Sequence, residues 1–237
     1  MLNMSHNDIS SHLLSDRIFT GLSKLVALDL SYNSLTKLEG RTLAQQNNLQ
    51  ILNLQHNSLA NIAYDSLSNL INLHILLLSH NQLTDLPPSS LSSLTSLSSL
   101  SLDHNRLGLL PPGLLQGSPL LQDLALNNNY LDSVPQDVSA LTKLRTLDLG
   151  ENRIRSVLAH QLENLHSLYG LRLAGNELTE IGGSVFKNNT NLHVLNIAHN
   201  KISNINQEAF KSLKNLRGEW TSGIAGSVPD TSQIYEL

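Results

Sequence analysis

Histidine stands immediately before asparagine at His6, His56, His80, His104 and His199, and His56, His80 and His104 follow one another at intervals of 24 residues. Imidazole titrates near neutrality and ligates transition metals, so residues of this type at one fixed interval are candidates for a metal ladder or a pH sensor. If each interval is one turn of a stacked structure, the three form a column with a spacing of ~5 Å. Only Asp103, beside His104, adds a carboxylate there. No metal is therefore assigned, and the column reads first as a solvated turn position that tolerates polar residues. Other chemistry is thinly represented. The sequence holds no G-x-S-x-G, H-E-x-x-H or P-loop pattern, and the absence of cysteine excludes thiol catalysis. Nothing points to an enzyme or to a cofactor.

The histidine interval belongs to a pattern that runs along the chain. L-x-x-L-x-L-x-x-N recurs as LVALDLSYN, LQILNLQHN, LHILLLSHN, LSSLSLDHN, LQDLALNNN, LRTLDLGEN, LYGLRLAGN and LHVLNIAHN, after a partial first copy, MLNMSHN. The closing asparagines are Asn7, Asn33, Asn57, Asn81, Asn105, Asn129, Asn152, Asn176 and Asn200, spaced by 26, 24, 24, 24, 24, 23, 24 and 24 residues. Nine copies in such register specify a repeat protein.

The L-x-L core has period two, so its leucines point to one side of a short strand and the intervening residues to the other. Apolar residues follow most of these asparagines at +2, +5 and +10, as in Leu83, Leu86 and Leu91, and fill the interior of a coil as the chain returns. The Asn carboxamide, with two donors and an acceptor, is suited to peptide groups left unpaired at the inward turn. Asn33, Asn57, Asn81, Asn105, Asn129, Asn152, Asn176 and Asn200 are thus read as a structural ladder rather than a binding surface. Double prolines at Pro87-Pro88 and Pro111-Pro112 oppose the competing helical reading.

These residues resemble the leucine-rich repeat family over about residues 1–217. The expected fold is an α/β-type solenoid, a horseshoe with a parallel β-sheet on its concave face and mostly irregular or short helical convex segments. Runs such as LDLSYNSLTKL, LDLGENRIRSV and LNIAHNKISNINQEAFKSLKNL are most similar to the ectodomains of insect Toll receptors. That resemblance implies recognition of a protein ligand, cytokine-like or a microbial product, with receptor dimerisation, on the extracellular side of the plasma membrane. Secreted or adhesive matrix proteins have similar repeats, and an intracellular scaffold is a third reading.

Composition limits the partners. The net charge is −4, from 15 basic and 19 acidic residues, with no basic stripe to follow a phosphate backbone, so nucleic acid is not expected. No apolar run approaches the ~18 residues of a membrane span, and the first ten residues are too polar for a signal peptide. The repeat fails after Leu216, where Glu219 would fall at a buried leucine position. Residues 218–237 are read as a loose non-repeat tail, and the stop as a truncation, isoform or gene-model edge.

On the template, positions 3, 5 and 7 should face solvent on the concave side. Ile51, Ile75 and Leu77 then form an apolar cluster on neighbouring strands, read as local packing or as a partner-binding patch. Asp148 and Arg172 occupy one position of adjacent strands as an exposed ion pair, and with Arg145, Tyr169 and Glu151 they make the most chemically mixed region. Of the two N-x-[ST] triplets, at Asn3 and Asn188, the second lies on the outer return segment and is the glycosylation candidate.

Overall fold

The computed structural model describes residues 1–14 and 18–217. The tail over 218–237, expected to be loose, lies outside the described residues. Each L-x-L core forms a strand of two or three residues, because alternation places one buried leucine between two residues facing the other way. These strands are Leu2–Asn3, Ala27–Asp29, Ile51–Asn53, Ile75–Leu77, Ser99–Ser101, Asp123–Ala125, Thr146–Asp148, Gly170–Arg172 and Val194–Asn196. They join in chain order into one parallel sheet. The register never slips: Leu28, Leu52, Leu76, Leu100, Leu124, Leu147, Leu171 and Leu195 lie side by side.

Behind the sheet, the remaining template leucines and those of the return segment form one continuous core. Leu83, Leu86 and Leu91 are all buried in it, as their +2, +5 and +10 positions require. Burying one such side chain contributes about 1.5–3 kcal/mol. The core therefore grows by a fixed increment with each repeat. Phe186, at +10 after Asn176, is fully buried and stacks on Phe210 with ring centroids 6.1 Å apart.

The convex side is mostly turns. Its only regular elements among the described residues are a 3-10 helix over Gln136–Ala140, a short α-helix over Ala159–Leu162, and two small two-stranded parallel sheets. The small sheets pair Lys37–Leu38 with Asn61–Ile62 and Glu180–Ile181 with Asn204–Ile205. A second set of asparagines ties the outer segments together. Asn48, Asn72, Asn164, Asn188 and Asn191 each donate to a backbone carbonyl 25 residues earlier. The nine-residue template does not contain this ladder.

Candidate functional site

The template asparagines are held identically from Asn33 to Asn200. Asn105 is typical: its Nδ2 donates to the carbonyls of Leu78 and Leu102 at 3.0 Å, and its Oδ1 accepts the Leu83 N–H at 3.0 Å. One carboxamide thus bridges two repeats. The equivalent Oδ1 acceptors bind Ile9, Leu35, Leu59, Leu107, Leu131, Ile154 and Leu178. Five of these side chains, Asn81, Asn105, Asn129, Asn152 and Asn176, are buried, and all eight carboxamides are engaged by backbone groups.

The exposed face differs from its expected form at Leu77. That side chain is fully buried rather than solvent-facing, although it points away from the leucine core. It is flanked in register by Asn53 and Ser101, and side chains on parallel strands about 4.8 Å apart cover one another. Ile51 and Ile75, at the preceding outward position, are half-buried, so the apolar cluster is a partly covered seam and not an open patch.

Asp148, expected in an exposed ion pair, is also buried. Its carboxylate is only 6% exposed and its partner Arg172 26%, so the pair, 3.4 Å between Arg172 Nη1 and Asp148 Oδ2, is no exposed ion pair. Burial pushes the Asp148 carboxyl above the usual carboxylate range, outweighing the Gly150 N–H bond and the Arg172 charge that pull it down. Arg172 Nε is itself buried without a hydrogen-bond partner. Arg145, Tyr169 and Glu151 are exposed, and the Tyr169 ring stacks on His193 with centroids 4.4 Å apart.

Position 8, the residue before each Asn, has a backbone property that the repeat template does not disclose. His6, Tyr32, His56, His80, His104, Asn128, Glu151 and His199 all adopt left-handed backbone with φ between 50 and 54°, and Gly175 has φ 69°. This turn sets the side chains in file. The rings of His6, Tyr32, His56, His80 and His104 stack consecutively at 4.1–4.2 Å, with planes within 11° of parallel. Asn128, Gly175 and the recurring histidines of that column are the signal in the sequence, since these residue types are enriched at positive φ.

Burial lowers the His56 pKa, with opposing pull from Asp103; His104 and His6 lower it further. His80 is lowered by burial and then by its neighbours His104 and His56, against Asp103. Asp103 is held in place beside the column. Ser79 Oγ donates to its Oδ1 at 2.6 Å and Ser101 Oγ at 2.5 Å, and both serines are buried. His80, Asp103 and His104 each offer a metal-ligating atom, all within 4.8 Å of one another. The histidine spacing alone does not disclose this set, because Asp103 lies on the neighbouring template position.

On the outer return segment, Asn188 is exposed and its Nδ2 donates to the Glu163 carbonyl at 3.0 Å. The next residue, Asn189, is buried and bonds the carbonyls of Leu162 and Leu165. Asn3 is also exposed, with its Oδ1 accepting the Ser5 N–H. Among the described residues no helix is long and apolar enough to cross a membrane.

An unbroken leucine ladder, an asparagine ladder and one short parallel strand per turn define a solenoid repeat protein. The family model described as Leucine rich repeat matches residues 1–59, 47–107, 71–131, 119–178 and 166–218, and the chain belongs to the leucine-rich repeat family. No curated protein matches the sequence. Among solved structures, it is similar to a leucine-rich repeat protein of Leptospira interrogans, with TM-score 0.75 and 29% identity over 91% of this chain and 58% of that one. It is also similar to a chain of the Toll–Spatzle complex, described as a molecular hub in Drosophila development and innate immunity. There the TM-score is 0.55 and the identity 23%, over 86% of this chain and 34% of that one. The chain thus spans about a third of one and under three fifths of the other.

Proposed function

We propose that this chain is a protein-binding module, the ligand-recognition part of a Toll-like receptor ectodomain acting in innate immune or developmental signalling. The observation that carries the binding role is a row of side chains at the entry to the strands. Gln50, His74, Gln122, Arg145 and Tyr169 are exposed there on a rigid leucine scaffold, and no two neighbours share a residue type. A scaffold with fixed spacing and free side-chain choice can match a protein surface without moving. Of the sequence candidates, Arg145 and Tyr169 have the exposure a contact needs, while Arg172 is half-buried.

The receptor reading draws support from the Toll-like repeat sequences and from the likeness to a chain of the Toll–Spatzle complex. It puts the module on the extracellular side of the plasma membrane, with a protein ligand, cytokine-like or microbial, and receptor dimerisation as its output. Asn188, exposed on the outer segment, is its N-glycan site. The greater structural likeness to the Leptospira protein favours a second reading, a repeat module working outside any receptor, as an adhesion or matrix protein or as a scaffold.

The test is a binding screen of the parent ectodomain against cytokine-like dimers and microbial proteins, repeated with Arg145→Glu and Tyr169→Ala and with the convex control Lys187→Glu. The expected result is a ligand whose affinity falls at least tenfold, roughly 1.4 kcal/mol, in the first two variants and not in the control. Equal binding by all four proteins overturns the assigned surface. A transmembrane segment and a TIR domain in the parent transcript separate the receptor from the second reading.

A further inference from the structure

We propose that His80, Asp103 and His104 form a binding site for a divalent transition-metal ion, with zinc or copper the fitting class and a coordination position left open to solvent. Two imidazole nitrogens and one carboxylate oxygen, all within 4.8 Å of one another, are a donor set that these ions accept. In a tetrahedral zinc site, bonds of about 2.0–2.2 Å bring such donors closer together than this, so the three groups must close inward on the ion. The structure permits that closure where it is needed. His80 and His104 are exposed, so their rings can turn without disturbing the leucine core, while Asp103 is anchored.

The anchoring argues for a built site. Ser79 and Ser101 lie on adjacent repeats, 4% and 3% exposed, and both hydroxyls bond the same carboxylate oxygen, Oδ1. Oδ2 is therefore the atom presented to an ion. Hydrogen bonds of this kind orient a ligating carboxylate. The left-handed backbone at His80 and His104 fixes where each imidazole starts. Their rings are stacked with planes 11° from parallel, so their lone pairs lie in nearly parallel planes. Binding one ion must unstack at least one ring, a change that can be followed. The third donor distinguishes this step of the column from the next. His56 and His80 stack equally well, at 4.1 Å, but no carboxylate is grouped with that pair among the described residues.

Calorimetric titration of the full chain with zinc chloride at neutral pH tests the assignment, with copper titration followed by electron paramagnetic resonance as a second readout. One zinc ion per chain is expected. His80→Ala, His104→Ala and Asp103→Asn each abolish it, and Ser101→Ala weakens it about 10–100-fold by releasing the carboxylate. His56→Ala retains it. Bound copper shows hyperfine coupling to two imidazole nitrogens in the wild type, a signal that His104→Ala lacks. Circular dichroism identifies any variant that has lost the fold. The proposal is overturned if the wild type takes up no zinc, if Asp103→Asn binds as tightly as wild type, or if His56→Ala weakens binding as much as His104→Ala.

Discussion

A single carboxamide carries an unusual share of this fold. Asn105 joins the carbonyls of Leu78 and Leu102 to the N–H of Leu83, so leucine at this position orphans the Leu83 N–H and leaves each carbonyl with one donor, Asn81 and Asn129 respectively. The orphaned N–H alone costs roughly 1–3 kcal/mol in a buried setting such as this one. Asn105→Leu is expected to lower the urea midpoint sharply despite its greater apolarity; an unchanged midpoint would sink the ladder argument. Asp148 makes the opposite case, a buried charge held at a cost. Its carboxyl titrates above its ordinary value near 3.8, so the native state binds the proton more tightly than the unfolded chain does. The cost is present above the folded pKa and is relieved as pH falls through it. Asp148→Asn keeps an acceptor for the Gly150 N–H and removes that charge. Its stability relative to wild type should therefore shrink as pH falls through the folded pKa toward about pH 4. Matched denaturant titrations across that range check the sign, and a relative stability that grew on acidification would reverse it.

At the scale of the element, the strand and its following turn differ in how far they can be read from residues. The strand is legible because leucine at two-residue alternation has only one buried solution, and because the closing asparagine repeats it nine times. Exposure within the strand is not. Asp148 and Leu77 face away from the core and are still buried, since what covers them is the matching side chain one repeat away. That neighbour is some 24 residues distant in sequence, and its size decides the outcome. The left-handed turn at position 8 is partly hidden for a different reason: tyrosine and glutamate occupy it as well as histidine, asparagine and glycine. The Asp103 cluster is half visible, because the carboxylate stands beside His104 in the chain while one of its two hydroxyl anchors comes from the preceding repeat. The turn yields its own test. Asn128 adopts φ 54°, where a β-branched side chain meets its own carbonyl. Asn128→Val should cost about 1–2 kcal/mol, whereas Asn128→Gly should cost little. Equal thermal midpoints for the two variants would show that the turn imposes no such backbone demand.

For the whole molecule, stability should be a sum over repeats and their interfaces rather than a property of one closed core. Each turn contacts its two neighbours through the same leucines and the same asparagine, so a turn is a removable unit if the phase is kept. Deleting residues 82–105 joins Asn81 to Arg106, and Leu107 then falls at the +2 position that Leu83 held. The Ile75–Leu77 strand comes to lie beside Asp123–Ala125, with leucine still facing leucine in the ladder. The shortened chain is expected to unfold cooperatively at a lower urea midpoint, with a denaturant slope smaller by roughly a tenth. Deleting only residues 82–93 removes half a turn and shifts the phase. Thr95, Ser98 and Asp103 would then occupy the +2, +5 and +10 positions of Leu83, Leu86 and Leu91, all of them buried. Burying those polar groups unpaired costs more than the leucines there contributed. The smaller deletion should therefore be the more damaging, giving no cooperative transition. If the two deletions unfold alike, the repeats are not the units of stability, and the free choice of side chains along the strand row loses its physical basis.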